Sequence, residues 1–260
     1  MRKYLLGGAG ITFSILALTI IISWVPCSNR SLPEKAVTQD SLYNLHVSKI
    51  YRAAHLEQSG LRPEVFEKAL TGFYNLKNVG KISGEKSILT IADFDQNSTK
   101  KRLWIIDLSI DSLLLNTWVA HGQRSGDDMA TRFSDARDSY ESSLGFYVTG
   151  EVYQGKHGRS LRLDGMDEGY NSNARSRSIV VHGAPYVSQG TINELGRLGR
   201  SQGCPAVPAE LSDRVINTIE GKTVIFINGS HQTYFSKYLN THLAANMIVP
   251  MQDSSLVARI

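Results

Sequence analysis

Dense blocks of lysine or arginine are missing from this chain of 260 residues, and its net charge is only +4. Nucleic-acid binding needs positive charge clustered on one stretch or face, so nucleic acid is not an expected partner, and the mild excess suits an anionic wall or membrane surface better. Internal repeats and low-complexity tracts are also absent, which leaves an ordinary globular core to account for the 42% apolar content. Cysteine is scarce: only Cys27 and Cys204 occur. In an oxidising compartment the two could pair, but a long stretch of chain and a linker lie between them. Sites for metal are lacking. His46 and His55 have no second ligand at useful spacing, and Asp93-Phe-Asp95-Gln-Asn97 opens like a calcium loop but has Ser98 at the required glycine and Trp104 at the terminal glutamate. A turn is expected there. The acidic stretch Asp164 to Gly169 reads as a polar loop that could line a cleft.

What the chain does contain begins with its N-terminus. Met1-Arg2-Lys3 is basic, and Tyr4 to Val25 then runs 22 residues without a charge, enough to cross a hydrocarbon core of about 30 Å. The positive residues stay inside, so the rest of the chain is expected outside the inner (cytoplasmic) membrane, held through residues 4–25. No Ala-x-Ala cleavage site precedes the polar region, which favours an uncleaved signal anchor over a cleaved and secreted form. Cys27 follows directly, but Trp24-Val25-Pro26 does not resemble the context of a lipidated cysteine.

The expected organisation is an anchor over 1–25, a linker over 26–40, a helical layer over 41–80, a catalytic domain over 81–235 and a C-terminal tail over 236–260. In the helical layer, Ser41 is placed as a cap, with Leu42, Leu45 and Ile50 on one face. Arg62-Pro-Glu opens a second helix carrying Val65, Phe66, Ala69, Leu70 and Phe73 at helical spacing. From Ile88 the period changes. Short β-branched or aromatic runs follow at Ile88–Ile91, Arg102–Asp107, Leu113–Ala120, Gly145–Tyr153, Ser160–Leu163, Ser178–His182 and Thr223–Ile227, with one more helix over Glu210–Ile219. The fold class is mainly β with peripheral helices (α+β), a β-sandwich or partly open barrel, preceded by an N-terminal transmembrane helix.

The stretch from Ser178 to Pro208 carries the chemistry. Ser178-Ile-Val-Val-His182-Gly183 ends an apolar run on a histidine, and Gly199-Arg200-Ser201-Gln202-Gly203-Cys204-Pro205 places a lone cysteine in a glycine-bounded turn. A thiol is mostly protonated near neutral pH, so acyl transfer needs a base beside it. His182 is the candidate base and Cys204 the candidate nucleophile. Gly203 lets the backbone approach closely, and the amides of Gly203 and Cys204 could face the oxygen of a tetrahedral intermediate. His121 and His157 also precede glycine. They could line a groove or serve structure.

These residues resemble the catalytic signature of the L,D-transpeptidases, bacterial enzymes that cross-link or tether peptidoglycan through a cysteine acyl-enzyme. The main branch places Ser/Thr-His-Gly-Cys at the nucleophile, often with Asn or Arg two positions later. Here Gln202 and Ala206 stand at those places, and Arg200-Ser-Gln-Gly-Cys-Pro-Ala-Val207 is similar to a divergent branch. Val119-Ala-His-Gly122, Ser142-Ser-Leu-Gly-Phe-Tyr147, Gly155-Lys-His-Gly158 and Gly169-Tyr-Asn171 agree with that branch. The resemblance implies Cys204, His182 and Gly203 as catalytic residues, with Ser201, Arg200, Gly183 and His121 toward the substrate. Arg197 and Arg200 are candidates for carboxylate binding. It also implies peptidoglycan stem peptides as partners, a place in the envelope or periplasm, and no metal or organic cofactor. Loss of the acyl group to water would make the same site an L,D-carboxypeptidase, and an inactive wall-binding scaffold is the alternative from another class. Oligomeric state is not legible in the sequence.

Overall fold

The structure is a computed structural model that describes residues 38–230 and 233–248. The expected anchor, and with it Cys27, lies outside the described residues, and among the described residues no helix is long and apolar enough to cross a membrane.

Eight strands form one sheet: β1 (Ile88–Asp93), β2 (Leu103–Asp107), β3 (Ser112–Thr117), β4 (Gly145–Gly155), β5 (Gly158–Gly165), β6 (Val180–Ala184), β7 (Ala206–Pro208) and β8 (Val224–Asn228). Their order is β3-β2-β1-β8-β4-β5-β6-β7. A sandwich of two sheets is therefore corrected to one curled sheet. The chain just past β3 comes round to β7, where Ala120 bridges Ala206 and Gly122 bridges Ser201, so the sheet is nearly closed and barrel-like. Register shifts between Ile105 and Ile106 and between Thr149 and Val152 add the bends that closure needs.

The apolar runs are continuous because their strands are covered on both faces. Leu89, Ile91, Trp104, Ile106, Phe146, Val148, Val224 and Phe226 point to one core, and Ile88, Ala92, Leu103, Ile105, Tyr147, Ile225 and Ile227 point to the other. The first core is roofed by helices α1 (Gln39–Ala53) and α2 (Pro63–Asn78). Pro63 opens α2, whose buried stripe includes Val65, Phe66, Ala69, Leu70 and Phe73 as the spacing predicts. In α1 the buried face is Tyr43, Val47 and Ile50, while Leu45 is exposed, and the cap is Thr38, whose hydroxyl accepts from the Ser41 amide at 3.2 Å. The aromatic ring of Tyr43 sets the face: its hydroxyl bonds Thr71 on α2 at 2.7 Å.

Two short helices went unread in the sequence or differ from it. Helix α3 (Gln189–Leu195) is exposed and has no apolar stripe to betray it. Helix α4 (Ser212–Ile219) follows a 3-10 turn at Ala209–Leu211 and buries Val215, Ile216 and Ile219 on the second core. Residues 236–248 are not a loose tail: a 3-10 turn at Lys237–Leu239 leads into α5 (Thr241–Ile248), and Tyr238, Ala244 and Ala245 are buried with α1 and α2. Asp167 ties this segment down. Its carboxylate accepts from the Phe146 amide at 2.7 Å, the Tyr234 hydroxyl at 2.9 Å and the Ser236 hydroxyl at 2.6 Å, so the acidic loop serves this anchoring and does not line the cleft. Asp93, read as a turn residue, takes Arg62 at 3.0 and 3.1 Å and Asn228 at 2.8 Å.

Candidate active site

One cleft of about 650 Å³ contains the chemistry-bearing residues, and Cys204, His182, Ser201 and Arg200 all line it. Topology explains the meeting. Strands β6 and β7 run parallel with His182 opposite Ala206, so the histidine lies beside the chain two residues past the cysteine. The β4–β5 hairpin, closed through Gly155 opposite Gly158, presents Lys156 and His157 at its tip. The His157 ring stacks on His182, with centroids 4.4 Å apart and planes at 23°.

His182 is buried, and its Nδ1 lies 3.0 Å from the Gly183 carbonyl. A carbonyl only accepts, so Nδ1 carries the proton and Nε2 keeps its lone pair. Burial holds this imidazole below its ordinary value; the Gly183 bond opposes that, and the nearby His157 and Lys156 reinforce it. Cys204 is half-buried with a free thiol, 3.7 Å from the Ser178 carbonyl. Burial raises its pKa against the pull of the Val180 backbone, Arg177 and Lys156. Both shifts favour the uncharged forms, thiol and neutral imidazole, over thiolate and imidazolium.

The turn that carries the cysteine has hydrogen bonds of its own. The Gly203 amide donates to Ser201 Oγ at 3.0 Å, and Ser201 Oγ donates to the Cys204 carbonyl at 2.6 Å. The Gly203 amide is thus engaged within the turn, whereas the Cys204 N–H has no hydrogen-bond partner among the described residues. Ser201 is 5% exposed and builds this turn. Gly203 is required for its shape: φ is +115°, and a Cβ would stand 2.8 Å from the Glu141 carbonyl and 3.3 Å from Arg177 Nη2. Gly203→Ala is expected to cost about 1–3 kcal/mol and to displace Cys204, read as a lower urea midpoint together with lost activity. Unchanged values in both would contradict it.

The other candidates differ in their relation to the cleft. His121 is off the cleft and 1% exposed; its Nδ1 accepts from Arg102 Nη2 at 2.7 Å, its Nε2–H points to the Gly126 carbonyl at 3.4 Å, and its own carbonyl accepts from Ser201 N at 3.0 Å. It supports the cysteine turn from behind. Gly183 also lies off the cleft, and is a packing glycine whose Cβ would stand 2.8 Å from Ser212 Cβ. Arg200 does reach the cleft, but its Nη1 is held by the Gly126 carbonyl at 2.9 Å and by Asp127 at 3.2 Å; Arg197 pairs with the same aspartate at 2.9 Å.

Burial and the adjacent Arg102 push the His121 pKa from 6.5 down to about 4. The unfolded chain then binds the extra proton between these values, so stability is complete above pH 6.5 and declines as pH falls toward 4. The expected loss, of order 2 kcal/mol, should be smaller in His121→Gln when denaturant unfolding is compared across that range. Identical slopes in both proteins would contradict the assignment.

Residues the sequence reading missed complete the walls. The Arg177 side chain is buried and braces the loop before β4 through the Ser134 carbonyl at 2.7 Å, Ser139 Oγ at 3.0 Å and the Glu141 carbonyl at 2.7 Å, besides Ser143 Oγ. Tyr140, Tyr153 and Tyr186 supply aromatic surface. None sits in a motif of its own; only their place in the cleft singles them out. Residues of three of the quoted blocks brace in the same way: Ser142 Oγ accepts from Gly122 N at 3.0 Å and reaches the Gly203 carbonyl at 3.4 Å, while Asn171 Nδ2 donates to the Leu144 and Phe146 carbonyls at 2.8 and 3.0 Å.

A model of the L,D-transpeptidase catalytic domain matches residues 57–228, more than half of the chain, and the chain belongs to that family. No curated protein matches it. Among solved structures it is similar to the helical cell shape determining protein Pgp2 from Campylobacter jejuni, at 14% identity and a TM-score of 0.37, covering 69% of this chain and 63% of that one. It is also similar to an L,D-transpeptidase from Mycobacterium smegmatis, at 13% identity and 0.34, covering 55% and 59%. An L,D-transpeptidase from Mycobacterium tuberculosis H37Rv gives 15% and 0.34, covering 55% and 58%. The chain thus spans less than two thirds of the length of each.

Proposed function

We propose that this chain is a cysteine-dependent peptidoglycan L,D-transpeptidase acting on stem tetrapeptides outside the cytoplasmic membrane, held there by residues 4–25. The observation that carries the reading is the free Cys204 thiol sharing a cleft with a histidine whose Nδ1 proton is committed to a carbonyl, leaving Nε2 as a base. His182 Nε2 takes the thiol proton as Sγ attacks the carbonyl between an L-centre and the terminal D-residue. The oxyanion is met by the Cys204 N–H. The C–N bond breaks, the D-amino acid leaves with the proton from His182, and a thioester remains. An acceptor amine then attacks, gives its proton to His182, and releases Cys204 as the new amide forms.

Incubation of the full chain with disaccharide tetrapeptide and an isotopically labelled D-amino acid tests this by mass spectrometry of the products. Incorporation of label at the stem terminus is the expected result. Loss of the terminal D-residue without incorporation would replace the reading with an L,D-carboxypeptidase, and no change in the stem would replace it with a wall-binding scaffold.

A further inference from the structure

Four cations line the cleft, Arg137, Lys156, Arg177 and Arg200, against a single carboxylate, Asp138. Two are already used: Arg177 by the four loop contacts described above, with Asp135 at 3.8 Å, and Arg200 by Asp127 and the Gly126 carbonyl. The other two differ. Arg137 is exposed and makes one hydrogen bond, to the Ser176 carbonyl at 3.3 Å, while Lys156 is exposed at the hairpin tip with no partner among the described residues. Neither has a carboxylate within ion-pair distance among those residues. Nor does the chain supply a cation from the position two past the nucleophile, because Ala206 there is buried in β7.

Resting on the acyl-transfer reading above, we propose that Arg137 and Lys156 select the donor: they make the cleft take an acidic peptide with free carboxylates and disfavour the same peptide with those carboxyls converted to carboxamides. Arginine and lysine that are solvated and unpaired before binding give up no internal partner when a carboxylate arrives, unlike Arg177 and Arg200, and a charge-assisted bond is stronger than one to a neutral amide. Lys156 adjoins His157, whose ring stacks on His182, and so faces the reacting centre. Arg137, beside Ser176, reaches a carboxylate further along the peptide.

Calorimetric titration of the full chain bearing Cys204→Ala, which binds without turnover, tests the proposal with a tetrapeptide in free-acid and carboxamide forms. The free acid should bind about 10-fold more tightly, with the difference shrinking as salt is added. Adding Arg137→Gln and Lys156→Gln should reduce that preference to about 2-fold or less, and Arg137→Lys with Lys156→Arg should preserve most of it. Equal affinity for the two peptides, no binding of either, or a preference that survives the double glutamine change would overturn it. Parallel turnover by the unmodified chain separates the two claims. Charge-selective binding without turnover defeats the acyl-transfer reading alone, and turnover without charge preference defeats this proposal alone.

Discussion

Cys204→Ala is expected to abolish label incorporation into the stem, to below the detection limit, while leaving the fold intact. On the proposed mechanism the Cys204 thiol carries the acyl intermediate, and without it the N–H donors and binding residues can only hold the peptide. Its removal takes away a half-buried sulfur at the edge of the second core, so little packing is lost. The geometry around it survives, because the turn is held by Ser201 Oγ and not by the sulfur. An unchanged unfolding midpoint with no incorporation is the predicted pair of results. Residual incorporation comparable to the unmodified chain would mean that another group carries the acyl chain.

His182→Gln is expected to lower turnover by about 10²–10⁴-fold, and its effect on pH dependence is more diagnostic. Since burial holds the imidazole below its ordinary 6.5, the acid limb of kcat/KM should fall below pH 6.5. The sign follows from the role: the neutral imidazole is the active form, so activity is present above its pKa and lost as pH drops through it. The thiol behaves in the opposite sense. Because its pKa is raised from 9.0, alkylation of Cys204 by iodoacetamide should keep climbing into the alkaline range instead of levelling off near neutrality. A plateau well below pH 7 would indicate a preformed thiolate and imidazolium pair and would contradict this resting state. Glutamine keeps a polar side chain of similar reach but cannot take the proton, which separates base chemistry from packing.

Much of this was legible because the informative residues are local. A cysteine in a glycine-bounded turn and a histidine closing an apolar run can be recognised without knowing how they meet, and the stripe of α2 and the run of short strands follow from periodicity, whereas the face of α1 does not. What escaped depends on contacts distant in sequence. Nothing in Ser201-Gln-Gly203 says that the serine hydroxyl would claim the Gly203 amide, and that bond changes which donor is open to an oxyanion. His121 and His182 look alike as His-Gly pairs. Only the fold sets Arg102 against Nδ1 of the first and a carbonyl against Nδ1 of the second, making one a brace and the other a candidate base. Arg200 reads as a substrate ligand until Asp127 is seen beside it. The three residues of β7 are too few for any period to show.

The most direct test of the central claim is the intact mass of the full chain, quenched in acid shortly after mixing with disaccharide tetrapeptide and no acceptor, then mapped by proteolysis. The account predicts an adduct equal to the donor less its terminal D-amino acid, located on Cys204 and absent from Cys204→Ala. Turnover without such an adduct, or an adduct on any other residue, would contradict it.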